Sequence, residues 1–215
     1  RKFQFTNAKL YKFAIQVYSV MKLILKERPK SPIIIEGFPG FGLVGTIATQ
    51  FLIKHLNARQ IGHIETEEAA PITAIHEGAA IEPLGIFYDK KYNIIILHAI
   101  SGLNGMEWKI ANILIDLSKQ LKCRELISIE GIVASNPAKT NVYFYTNNSK
   151  NVKNFSKIGM DQLKEGIVMG VSGALLLRST SQLSCIFVES HTGIADSMAA
   201  AKIIEVLDKY LGLKV

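Results

Sequence analysis

Four glycines and a proline fall within nine residues, Gly37-Phe38-Pro39-Gly40-Phe41-Gly42-Leu43-Val44-Gly45, directly after the apolar run Ile33–Glu36. A short apolar run bounded by Pro32 and Gly37 reads as a buried strand. Beyond the glycines, Leu43, Ile47 and Phe51 recur at helical spacing through residues 43–57. The unit is therefore strand, glycine loop, helix, the building block of a layered α/β domain.

The rest of the chain continues in that style. Residues 59–65, 72–76, 84–88, 93–99, 125–133, 142–145 and 183–189 are predicted strands. The short link between 72–76 and 84–88 makes these two expected antiparallel neighbours, and the strongly apolar 93–99 is expected near the centre of the sheet. Residues 105–121 are a predicted helix with Trp108, Ala111, Ile115 and Leu121 on one face. Residues 147–154 form a polar loop or exposed short helix, 166–177 a buried helix, and 194–211 an amphipathic helix closed by Gly212. The expected fold is α/β, a mixed and largely parallel central sheet flanked by helices. Residues 1–20 alternate apolar and polar (Phe3, Phe5, Phe13, Ile15, Val17) as strands do, although Met21 is a candidate start for the core domain. The division is an extension over 1–30 and one domain over 31–215.

Gly40, Gly42 and Gly45 spell G-x-G-x-x-G, and Glu65 falls twenty residues later at the end of the next strand. Those are ingredients of a dinucleotide site, where glycines let the backbone approach a pyrophosphate. Several features oppose that reading. Four residues, Glu36 to Pro39, separate the apolar run from Gly40, and Pro39 has no N–H to offer a phosphate. Phe38 and Phe41 are bulky, and no Lys-Ser/Thr pair follows. The simpler reading is a turn that needs glycine, with Phe38 and Phe41 packing on the sheet or on a partner.

Other chemistry is thinner. His98 and Ser101 end one strand, and Glu189, Ser190 and His191 end another, but no G-x-S-x-G elbow presents a serine. The five histidines (His55, His63, His76, His98, His191) lack metal-site spacing. Glu130 is either a paired carboxylate or a turn cap. Tyr143, Phe144 and Tyr145, near Lys139, Lys150 and Lys153, resemble a single-strand nucleic-acid platform. Consecutive aromatics point to opposite faces of a strand, so core packing plus an interface explains them better. The net charge of +7 comes from scattered basic residues, which suits solubility or an acidic protein partner and makes nucleic acid the weaker reading. Cys123 and Cys185 form no CxxC pair and fit buried free thiols in a reducing cytoplasm. No stretch reads as a membrane span.

Taken together, GFPGFGLVG (37–45), SGLNG (101–105), IEGIVASNP (129–137), TNVYFYTN (140–147), GIVMGVSGALL (166–176) and ESHTGIADSMAAAKIIEVLDKYLGL (189–213) resemble the proteasome assembly chaperone family of the second-subunit type, with its archaeal and bacterial relatives. The resemblance runs from about Ser31 onward. It implies a fold like that of nucleoside phosphorylases and hydrolases, and self-association into trimers or tetramers. It also implies a non-enzymatic role on proteasome subunits or a second assembly chaperone, with no cofactor. Phe38, Phe41, Tyr143, Tyr145, Leu213 and Val215 are the interaction candidates. Ring-docking relatives end in hydrophobic-Tyr-X, whereas this sequence ends Leu213-Lys214-Val215, so tail docking is not expected. The alternative is a nucleotide-binding or nucleoside phosphorylase/hydrolase-like enzyme using the Gly40–Gly45 loop and Glu65.

Overall fold

The computed structural model describes residues 21–76, 78–134, 139–191 and 193–215. The strand-like pattern in 1–20 and residues 135–137 of the IEGIVASNP motif lie outside the described residues.

The chain opens with β1 (Lys22–Leu25) and β2 (Ile33–Gly37), then a 3-10 turn (Phe41–Leu43) that runs into α1 (Val44–His55). Then come β3 (Arg59–Glu65), a small hairpin of β4 (Ala74–His76) and β5 (Ala79–Ile81), β6 (Leu84–Asp89), β7 (Ile94–Ala99) and α2 (Glu107–Gln120). The second half is β8 (Glu125–Val133), β9 (Val142–Thr146), α3 (Ser149–Lys157), β10 (Asp161–Gln162), α4 (Gly170–Arg178), β11 (Leu183–Ser190) and α5 (Ser197–Leu211).

Among the described residues, one nine-stranded sheet has the order β1-β3-β6-β7-β2-β8-β11-β9-β10. Its centre, β7-β2-β8-β11, is parallel. These strands read as unbroken apolar runs because helices cover both faces. The β1-β3, β3-β6, β6-β7 and β11-β9 pairings are antiparallel and the edge pair β9-β10 is parallel again, so the sheet is mixed around a parallel centre. Residues 84–89 pair with β3 and β7. They do not pair with 74–76, which close a separate hairpin with β5. The intervening link is long enough to fold on itself, so chain proximity did not translate into pairing.

Two cores sandwich the sheet. α2 and α4 cover Ile34, Ile95, Leu97, Leu126, Cys185 and Phe187; α1, α3 and α5 cover Ile35, Ile96, Ile127, Ile129, Phe144 and Ile186. The period-2 alternation of strands sends neighbouring residues to opposite cores. Phe144 stacks on Phe155 and Phe155 on Tyr210, at 4.9 and 4.2 Å between centroids. The polar 149–157 segment is thus a helix pinned by buried Asn151 and Phe155.

α1 buries Val44, Ala48 and Leu52, one residue on from the expected stripe; Leu43 and Phe51 face out. Small residues decide this. Gly45 sits on Gly37 so closely that a Cβ on Gly45 would lie 2.9 Å from Gly37 Cα and from Phe38 O. Only that face lets the helix meet the strand backbone. Likewise Trp108 is half-exposed under the Arg178 guanidinium, 4.2 Å from the ring centroid. The expected helix over 166–177 starts only at Gly170, whose φ of 68° breaks it from the extended Met169. α5 is capped by Asp196 and stopped by left-handed Gly212.

Gly45→Ala should cost about 2–4 kcal/mol, because the clash is with backbone that cannot yield. Gly102→Ala, with nothing nearer than 4.0 Å, should stay within about 0.5 kcal/mol. Urea unfolding of the two variants checks this; equal midpoints would contradict it.

Candidate binding cleft

A cleft of about 860 Å³ opens at the carboxyl ends of β2, β8 and β11, on the α2/α4 face. One wall is the glycine loop, with Phe38, Pro39, Gly40 and Phe41; the other is the extended segment 162–169 and the first residues of α4. Leu103, Ile132 and Tyr143 fill in the sides. Carboxyl ends of parallel strands are where open α/β sheets place ligands.

The floor holds buried acids. Glu36 is only 1% exposed, and the β2/β8 register sets it beside Ser128. Ser128 hydrogen-bonds Glu36 Oε1 and lies 2.6 Å from Ser172 Oγ; Ser172 Oγ lies 3.1 Å from Glu130 Oε2. Three contacts in a row, Glu36–Ser128–Ser172–Glu130, need three protons. The two hydroxyls bring two, so a carboxyl must bring the third. Two orientations satisfy the chain. Either Glu130 carries the proton and Ser128 donates to Glu36, or Glu36 carries it, donates to Ser128, and Ser172 donates to Glu130. Burial favours the second. It pushes Glu36 up to about 8, and the Glu130 charge adds to the rise. Burial pushes Glu130 up to about 7, partly offset by Ser172. Desolvation disfavours the charged form, and the more deeply buried acid keeps the proton.

The second oxygen of Glu36 takes no hydrogen bond from the described residues, although Glu36 lines the cleft. Glu130 fits because Gly40 has no side chain: a Cβ there would collide with Glu130 Oε1. Glu189, also buried, accepts from Asn141 Nδ2 at 2.6 Å and from its backbone N–H at 3.1 Å.

The residues singled out in the sequence separate. Phe38, Phe41, Gly40 and Tyr143 converge on this cleft, and Tyr145 follows on β9, partly exposed. Gly42 faces the other side, where a Cβ would lie 2.5 Å from Ser190 Oγ, and Gly45 is spent on Gly37. Glu65 ends β3, paired with Lys22 and separated from β2 by β6 and β7, about 14 Å at ordinary strand spacing. Leu213 and Val215 lie at the far end of the sheet. Leu213 is 1% exposed, and its carbonyl accepts from Tyr92 OH at 2.8 Å.

His98 Nδ1 pairs with Thr49 Oγ1 at 2.9 Å, on the α1/α5 face, and burial pulls its pKa down to about 4. Ser190 donates to Asp196 at 2.7 Å and belongs to the cap of α5. The described residues hold no group of three side chains suited to a metal ion, and no helix among them is long and apolar enough to cross a membrane.

Glu36 and Ser128 were not recognisable as partners from the sequence, yet a signal was there. IIIEG at 33–37 and ISIEG at 127–131 each place a glutamate inside an otherwise buried run.

The profile of the PAC2 family matches residues 34–215. The chain belongs to the PAC2 family. An uncharacterised protein of Methanocaldococcus jannaschii is 30% identical over 206 residues, 91% of this chain and 82% of its own length. Among solved structures, Pyrococcus furiosus PbaA, an archaeal homolog of proteasome-assembly chaperone, superposes with a TM-score of 0.82 at 32% identity, covering 91% of this chain and 83% of that one. P. furiosus PbaB, an archaeal proteasome activator, shares the fold with a TM-score of 0.74 at 21% identity, covering 91% and 90%. The PAC2 fold therefore supplies the mixed sheet and, in this member, the acid-floored cleft at its end.

The raised acids carry a stability signature. Between the ordinary carboxyl value of 4.5 and about 8, the folded state binds the Glu36 proton and the unfolded state does not. The Glu36 contribution to stability therefore falls as pH rises through that window and levels off above it, while His98, held low by burial, contributes an opposite slope up to its ordinary value of 6.5. Glu36→Gln keeps a donor for Ser128 and should remove most of the slope, leaving the variant more stable than wild type at pH 8 by on the order of a few kcal/mol. Urea midpoints at pH 5 and pH 8 measure it. Parallel slopes would show that Glu36 is not the titrating group.

Proposed function

We propose that this PAC2 protein is a cytoplasmic, non-enzymatic assembly factor that works as a homo-oligomer on proteasome subunits or on a second assembly chaperone. The observation that carries the reading is the 32% identity to PbaA across 91% of the chain. The surface supports it. Met169 and Leu177, each 76% exposed, lie beside half-exposed Trp108 along a groove between α2 and α4, with Ile167, 89% exposed, on the adjoining cleft rim. Leu43 just before α1 and Phe51 on it, with Ile194 and Met198 near the start of α5, make a second apolar set. Clustered exposed apolar side chains mark interaction surfaces, and two sets suit self-association and partner docking. A stable interface needs on the order of 1,200 Å² of total buried area.

A second reading rests on the cleft itself. Acids with raised pKa at the carboxyl ends of parallel strands are also what an enzyme site requires. Binding of NAD, ATP or a nucleoside at 100 times Kd would stabilise the protein by about 2.7 kcal/mol, so a thermal-shift panel separates the readings.

Affinity capture from native lysate, with native mass spectrometry, tests the assembly role. The expected result is an oligomer that retains a proteasome subunit. Met169→Asp with Leu177→Asp should weaken capture at least about tenfold without lowering Tm, because both side chains are already in water. A monodisperse monomer that retains no proteasome subunit would overturn the reading.

A further inference from the structure

The cleft floor is acidic, and its open rim carries exposed apolar side chains beside Glu165 and Lys164. Five glutamates line it against one basic side chain, Lys164. At its rim Val133, Ile167 and Met169 are 71, 89 and 76% exposed. We propose that the cleft docks a polypeptide segment of a partner protein in which a lysine or arginine is flanked by apolar residues, with the cation seated on Glu36 and Glu130. This deepens the assembly reading above and rests on it.

Three observations lead there. First, Glu36 is buried and lines the cleft, and its Oε2 takes no hydrogen bond from the described residues. That oxygen is not among the fully buried unpaired atoms, so it is open to the cleft, where an ammonium or guanidinium group can reach it with charge-assisted bonds. Second, an anion entering the cleft would meet the Glu130 carboxylate, whereas a cation takes the place of the shared proton as the positive charge between Glu36 and Glu130, each ionised acid then accepting from its own serine. Third, the cleft volume of about 860 Å³ has room for several side chains. A small free amine would occupy the floor and leave the apolar rim in water; a polypeptide covers both.

Binding is linked to protons, and several groups face the pair. Glu36 projects from β2 and Glu130 from β8, with Cys185 of β11 buried close enough to feel both charges. Glu189 of β11, Tyr143 of β9, Glu107 of α2, and Glu165 with Lys164 ahead of α4 complete the lining. Burial holds Glu36 up to about 8, so at pH 7 it is protonated before the cation arrives and ionised afterwards. One proton is therefore released. Affinity should rise about tenfold from pH 6 to pH 7 and flatten above pH 8.

The test is calorimetric titration of the full chain with acetyl-Ile-Arg-Leu-amide, acetyl-Ile-citrulline-Leu-amide and spermidine, at pH 7, in two buffers of different ionisation enthalpy. The arginine peptide should bind at least about tenfold tighter than the citrulline peptide, releasing about one proton. Glu36→Gln should abolish the release and weaken the arginine peptide about tenfold, leaving the citrulline peptide unchanged. Equal affinity of the two peptides, no proton release, or no binding by either peptide to wild type would overturn the proposal. Neither comparison on wild type depends on a variant folding. Spermidine binding as tightly as the arginine peptide would overturn the polypeptide occupant in favour of a small-amine site. Capture of a proteasome subunit is read separately. Capture unaffected by Glu36→Gln overturns the cleft as the docking point while the assembly role stands. No capture by wild type, with the peptide response intact, overturns the assembly role and supports the cation preference of the cleft.

Discussion

The backbone contact between Gly37 and Gly45 is the joint on which the architecture turns. It lets α1 lie against the end of β2 with no side chain between them. Three consequences follow at once. The stripe Val44, Ala48, Leu52 is forced inward and Leu43, Phe51 outward. The loop between the two glycines is thrown over the carboxyl ends of β2 and β8, because it must return to its starting point within nine residues. And Phe38 and Phe41 become a wall of the cleft. Gly131 continues the same logic on β8, since a Cβ there would collide with the Phe41 carbonyl. A G-x-G-x-x-G spelling thus arises from packing needs on both faces of one sheet, with Gly40 on one side and Gly42 and Gly45 on the other.

Beneath that loop the sheet carries acids in a layer that would otherwise be apolar. Glu36 stands in register between Leu97 of β7 and Ser128 of β8. Isolated charge at such a position is prohibitive, and the Glu36–Ser128–Ser172–Glu130 chain shows how the structure tolerates it. One proton is kept, the serines relay its hydrogen bonding, and the remaining charge sits at the Glu130 end, nearer the cleft mouth. The other buried acid, Glu125, is handled differently. Ser184, Asn151 and Tyr210 all donate to it at the opposite end of β8. Glu125 is closed off by donors, whereas Glu36 keeps an oxygen uncommitted.

The sequence made the strands legible because the parallel ones are buried on both faces and read as continuous apolar runs. It made the end of α5 legible through Gly212, and it carried enough motif content for the family to be recognised. It did not reveal which of two apolar stripes on α1 faces the sheet, because hydrophobicity is similar on both and residue size decides. It did not reveal that Gly170 starts α4, since Ile167, Val168 and Met169 look like helix interior until the left-handed φ at Gly170 separates them. The acid pair was least accessible. Glu36 and Ser128 are ninety-two residues apart, and Ser172 arrives from a third element, so only the parallel register of β2 with β8 brings them together. Phe38, Phe41 and Tyr143 were found as aromatics beside a loop and a strand; their convergence on one cleft follows from the β11/β9 pairing, which turns Tyr143 to the α2/α4 side and Phe144 to the other.

Stability alone does not explain the cleft floor. Replacing a buried polar pair by apolar side chains of similar volume is often neutral or stabilising, and β2 and β8 are otherwise built of isoleucine and leucine at these depths. Gly40 gives up a side chain to make room for Glu130, and Gly170 gives up helix propensity at the edge of the same space. Local rules of core composition and helix continuity are broken together within one small volume, and such concentrated departures are expected where a protein meets something else. The exposed Ile167 and Met169 at the rim are a departure of the same kind, since they leave apolar surface in water next to a partly empty acid. A folded chain that holds a cost at the floor and a cost at the rim of one cleft is a chain whose cleft is completed by another molecule.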